Sequence, residues 1–84
     1  MFEIALDKQV DKFLRKCEKI LFDRIVKKLE ELKVNPVPHD SKRMQGYNDP
    51  TFRIRVGDYR ALYRVNHEEK RIVVVKVDKR ERVY

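Results

Sequence analysis

The stretch Phe52-Arg53-Ile54-Arg55-Val56-Gly57-Asp58-Tyr59-Arg60-Ala61-Leu62-Tyr63-Arg64-Val65 decides the fold. Phe52, Ile54 and Val56 alternate with Arg53 and Arg55, which is the period of a strand with one apolar and one cationic face. Gly57-Asp58 is a tight-turn pair, and Tyr59 to Val65 returns as a second strand. With Tyr59, Ala61, Tyr63 and Val65 facing the core, Arg60 and Arg64 join Arg53 and Arg55 on the opposite face. Cations so placed stand about 7 Å apart along a strand and about 5 Å apart across it.

Outward from this hairpin the pattern continues. Asn66-His67-Glu68-Glu69-Lys70 is a longer hairpin loop, and Arg71 to Val77 carries Ile72-Val73-Val74-Val75, apolar on both faces as a central strand requires. Upstream, His39 to Pro50 is polar, holds Gly46 and reads as a loop. Asn35-Pro36-Val37-Pro38 ends whatever helix precedes it, because residues before proline avoid the α region.

From Lys8 to Lys33 no glycine or proline interrupts the chain, and the apolar spacing is helical. Val10, Phe13, Leu14, Cys17 and Leu21 form one stripe; Phe22, Ile25, Val26, Leu29 and Leu32 form another, offset by roughly 110°. A straight helix would leave one stripe wet, so two helices are expected, with a break near Glu18 to Ile20. Asp7 is a candidate N-cap for the first helix. Phe2, Ile4 and Leu6, alternating with Glu3 and Ala5, form a short strand before it. The order is β-α-α-β-β-β: an α+β fold in which a helical pair covers one face of an antiparallel twisted sheet.

The chain has 84 residues, enough for one domain over 1–84. No apolar run approaches the roughly 18 to 20 residues of a spanning helix, so no membrane partner is expected. A single cysteine, Cys17, cannot close an internal disulfide, which suits a reducing cytoplasm, and it fits the apolar stripe of the first helix. His39 and His67 lie in separate loops, and no Cys/His cluster suggests a metal or other cofactor.

Lys and Arg number 21 against 14 Asp and Glu, a net charge of +7. Such a surplus also serves solubility, and arginine on an open strand face blocks edge pairing. The alternation alone therefore leaves an anion site and a solvated face both open. Preference for arginine, whose fork matches phosphate oxygens, directs attention to nucleic acid. Lys79, Arg80 and Arg82 leave the last strand nearby and can close one side of the patch, with Tyr84 beside them.

Taken together, Arg43-Met44-Gln45-Gly46, Phe52 to Val56, Gly57-Asp58-Tyr59-Arg60-Ala61-Leu62-Tyr63 and Lys79-Arg80-Glu81-Arg82-Val83-Tyr84 resemble the RelE family of toxins over nearly the whole chain. The resemblance implies a toxin of a type II toxin–antitoxin system. It further implies an endoribonuclease that cuts mRNA in the 30S A site of the ribosome and is neutralised by an acidic RelB-like antitoxin. Carried over, Arg53, Arg55, Arg60, Arg80 and Tyr84 are the expected catalytic residues. Arg43, Arg64, Lys79 and Arg82 are the expected RNA-binding cations beside rRNA and mRNA. Where several relatives carry lysine, this chain has Arg53 and Arg55, which cannot give up a proton near neutral pH. They are expected to act electrostatically, leaving Tyr84 or an rRNA group to move the proton. The rival expectations are a ParE-like toxin that inhibits DNA gyrase without cutting nucleic acid, and a basic nucleic-acid-binding module.

Overall fold

Asp7 forms the joint between the first strand and the first helix. Its carboxylate accepts a hydrogen bond from the backbone N–H of Gln9 at 3.3 Å, satisfying a donor that the helix itself cannot. In the computed structural model, which describes residues 1–79, β1 (Glu3–Leu6) leads through this cap into α1 (Lys8–Lys16). The backbone is extended at Cys17 and again at Glu18, and α2 (Lys19–Val34) starts from there. The break thus falls at the leading edge of the expected interval. It turns the second stripe onto the core of the first: Val10 and Leu14 of α1 are buried with Ile25, Leu29 and Leu32 of α2. Phe22, at the head of the second stripe, stays 40% exposed.

β2 (Lys42–Arg43), β3 (Thr51–Val56), β4 (Tyr59–Asn66) and β5 (Arg71–Lys79) complete the structure. The strand order is β1-β5-β4-β3-β2. β2 through β5 pair antiparallel, as hairpin connections dictate. β1 differs: it runs parallel to β5, with Ile4 opposite Ile72 and Leu6 opposite Val74, so the sheet is mixed. The hairpin argument could not reach β1, which joins the last strand of the chain rather than a sequence neighbour. β2 is a second addition, a two-residue strand within the segment expected to be loop. The Met44 N–H, donating to the Thr51 carbonyl at 2.8 Å, extends the same pairing.

Tyr63 is fully buried under the helices. Its hydroxyl donates to the Pro36 carbonyl at 2.8 Å, tying the segment after α2 to the middle of the sheet. Burial pushes the phenol up to about 12; the nearby Asp40 charge acts in the same direction and a hydrogen bond with Ser41 opposes both.

β4 and β5 do not stay in step. Tyr63 lies opposite Val74, but Leu62 lies opposite Lys76, so Val75 is an extra residue on β5. This is a β-bulge, which re-aims the side chains beyond it. The Val75 carbonyl accepts a hydrogen bond from Gln9 Nε2 on α1 at 2.7 Å. Ile72, Val74 and Val77 are consequently the buried residues of β5. Without the bulge, alternation from Ile72 and Val74 would have sent Lys76 into the core.

Candidate functional site: a cationic sheet face

The Gly57-Asp58 turn sets the register of the site. Gly57 adopts φ +61°, a left-handed conformation that glycine takes without steric cost. From that turn the pairs run Val56 with Tyr59, Arg55 with Arg60, Ile54 with Ala61, Arg53 with Leu62, Phe52 with Tyr63 and Thr51 with Arg64. Ile54, Val56, Ala61 and Tyr63 belong to the buried core, so Arg53, Arg55, Arg60 and Arg64 occupy the face away from the helices. The structure therefore brings these four together as expected.

Cross-strand rows define the surface. One row is Arg55, Arg60 and Asp78; the next is Lys42, Arg53, Leu62 and Lys76; the third is Thr51, Arg64 and Val73. Arg55 is exposed, whereas Arg53 and Arg60 are half-buried. Two like charges directly opposite one another repel, and Asp78 on the far side of Arg60 is the nearest carboxylate in that row. Leu62 is buried although it faces outward, giving the cations an apolar floor. Arg64 lies 4.0 Å from Asp49 Oδ2 at the other end of β4.

Other expected residues lie elsewhere. Arg43 pairs with Phe52, which places it on the helix side of the sheet; its guanidinium sits over the Phe52 ring, 5.6 Å from the centroid. Lys79 pairs with Tyr59 and so also leaves the arginine face. In each case the preceding residue, Lys42 or Asp78, takes the outward position. Arg80, Arg82 and Tyr84 lie outside the described residues. Lys42 and Lys76 were not anticipated. Lys76 did leave a signal, because a lysine at an inward position followed by an apolar Val77 marks a strand whose alternation has slipped.

Among the described residues no group of His, Cys, Asp and Glu could hold a metal ion. His67 packs edge-on against Phe2, with centroids 5.7 Å apart, in the turn far from Gly57. Cys17 is half-buried, and its thiol donates to the Leu14 carbonyl at 3.6 Å. Among the described residues no helix is long and apolar enough to cross a membrane.

What these features define is a small α+β protein that covers one sheet face with helices and presents arginines on the other, without a metal-ligand group among its described residues. Residues 4–84 match the model of the ParE toxin of type II toxin–antitoxin systems. The chain is 31% identical to a Methanocaldococcus jannaschii protein named toxin RelE1 over 86 residues, covering 99% of this chain and 94% of that one. It superposes with a TM-score of 0.85 on the archaeal RelE–RelB complex from Pyrococcus horikoshii, at 32% identity and 98% of each chain. The E. coli RelBE toxin–antitoxin complex gives a TM-score of 0.78 at 28% identity, covering 98% of this chain and all of that one. The chain belongs to the RelE/ParE superfamily and is a RelE-type toxin of a type II toxin–antitoxin system.

Proposed function

We propose that this toxin is a ribosome-dependent endoribonuclease that cuts mRNA in the 30S A site. The observation carrying the proposal is the opposed pair Arg55 and Arg60, with Arg53 one row away, on the sheet face opposite the one packed against α1 and α2. Maintaining such repulsion is costly unless an anion is bound there. A phosphate in flight between two oxygens is that anion. The ribose 2′-oxygen forms a bond to the adjacent phosphorus while the bond from phosphorus to the 5′-oxygen breaks. The products are a 2′,3′-cyclic phosphate and a free 5′-OH, the 2′-proton going to a base and the 5′-oxygen receiving one. Arginines stabilise the charge on the pentacoordinate phosphorus, and electrostatic stabilisation of this kind is worth about 3 to 4 kcal/mol per well-placed donor. Proton transfer falls to Tyr84 or an rRNA group, with Arg80 on phosphate.

Arg64 extends the surface toward flanking phosphates, and Arg82 is assigned the same RNA-binding role. Arg43 and Lys79, on the other side of the sheet, suit contacts with rRNA rather than with the cut strand. The partner is an acidic RelB-like antitoxin, a reading supported by the RelE–RelB complexes of P. horikoshii and E. coli, and the complex resides in the cytoplasm.

Mapping transcript ends after induction tests the reading. New 5′ ends within codons, dependent on translation and lost in Arg60→Ala, are expected. Tyr84→Phe then asks whether the phenol moves a proton: unchanged cleavage excludes it. The match to a ParE model keeps a second reading alive, inhibition of gyrase. Gyrase-trapped DNA breaks, with intact transcripts, would establish that reading instead.

A further inference from the structure

We propose that Lys76 is an additional phosphate-binding cation of this site, delivered to it by the bulge at Val75. The proposal rests on the nuclease reading for its substrate but on independent geometry for its residue. Lys76 is the cross-strand partner of Leu62, which is in turn the partner of Arg53. All three share the open face, because Val77 and Val74 on either side of the bulge are both buried in the core. With strands about 4.8 Å apart, the backbones of Arg53 and Lys76 are separated by about 10 Å, with Leu62 between them. A phosphate lying over the buried Leu62 would meet a long cationic side chain from the strand on either side.

The position is built. A one-residue slip in β5 is what turns Lys76 outward, and the extra residue's carbonyl is held by Gln9 Nε2 at 2.7 Å. The same slip turns Asp78 outward opposite Arg60. Thus β5 contributes one cation to the Arg53 row and one carboxylate to the Arg55–Arg60 row. The positive potential is skewed toward Arg53 and Lys76, and the phosphate backbone should cross the sheet along that row. Like Lys42 at the other end of the row, Lys76 offers a compact ammonium with three rotatable donors, which adapts to a phosphate as its geometry changes.

The test measures binding apart from cleavage. A short 2′-O-methyl RNA, which has no free 2′-hydroxyl for the attack, is titrated onto antitoxin-free toxin across a salt series. Loss of one phosphate contact in Lys76→Met should weaken binding about three- to tenfold and flatten the plot of log affinity against log salt by about 0.7. Lys76→Arg should restore both. Identical affinity and slope for Lys76→Met and the unaltered protein would overturn the proposal, as would failure of the unaltered protein to bind. Circular dichroism melting establishes that each variant is folded. Cleavage of ribosome-bound message by the unaltered protein is measured in parallel. Its absence would remove the nuclease reading while leaving the binding result to decide the role of Lys76.

Discussion

Arg55 and Arg60 face each other directly across the β3–β4 ladder, one residue either side of the turn-flanking pair Val56 and Tyr59. Both side chains project from the face opposite the one packed against α1 and α2. The arrangement sets stability against function, and the conflict can be measured.

Replacing Arg55 with threonine removes the repulsion and introduces a β-branched residue. Stability should rise by up to about 1 kcal/mol. RNA cleavage should fall on the order of 100-fold, since one charge-stabilising group is lost. Urea unfolding and single-turnover cleavage of ribosome-bound message check the two signs. A variant that loses stability as well would show that Arg55 is held by native contacts stronger than the repulsion.

Tyr63 predicts a distinct alkaline limit. Its phenol is raised to about 12 by burial, against about 10 in an unfolded chain. The neutral form is therefore favoured by folding: its contribution is complete below pH 10 and disappears as pH rises from 10 through 12. The difference is worth about 2 to 3 kcal/mol. Tyr63→Phe should lose the 2.8 Å hydrogen bond to Pro36 and be less stable at pH 7 by about 1 to 2 kcal/mol. It should also show a flatter decline between pH 10 and 12. Denaturant titrations of both proteins at stepped pH reveal whether the curves converge.

At Gly57, alanine would have to adopt φ +61° and place its Cβ 3.2 Å from Arg24 Nη1. The guanidinium can move aside; the backbone cannot. A loss of about 1 to 2 kcal/mol is expected, read as a lower melting temperature. Equal stability would mean the turn has another conformation available.

Gln9→Leu should leave the Val75 carbonyl without its side-chain donor. A cost of about 0.5 to 1.5 kcal/mol follows. If the latch also holds the bulge, the affinity for RNA should drop in this variant but not in Lys76→Met/Gln9→Leu relative to Lys76→Met alone. A full additional loss in the double variant would separate Gln9 from Lys76.

The places where local pattern sufficed share a physical cause. Arg53, Arg55, Arg60 and Arg64 could be assigned to one face from residues 52–65 because a two-residue turn leaves the register no freedom. The helix break was legible because offset stripes cannot both be buried on a straight helix. Arg43 and Lys79 were harder. The side that Arg43 occupies depends on a two-residue strand pairing across a long connection, and that of Lys79 on a bulge upstream. The direction of β1 escaped for a related reason, since its partner is the far end of the chain. Local alternation carries no information about such long-range pairings, which tertiary packing decides.

Gly57-Asp58 carries one more implication. Every cation on β3 and β4 owes its side of the sheet to parity, counted outward from that turn. Inserting one residue on the β4 side while keeping the hydrogen-bonded register would swap odd for even positions, burying Arg60 and Arg64 and exposing Tyr63. Such an insertion would not simply disarm the toxin; it would remove the core. An insertion of two would preserve the count. Tolerance to length change at this turn should therefore oscillate with a period of two, and inactive but folded versions of the toxin must arise by substitution rather than by single-codon insertion there.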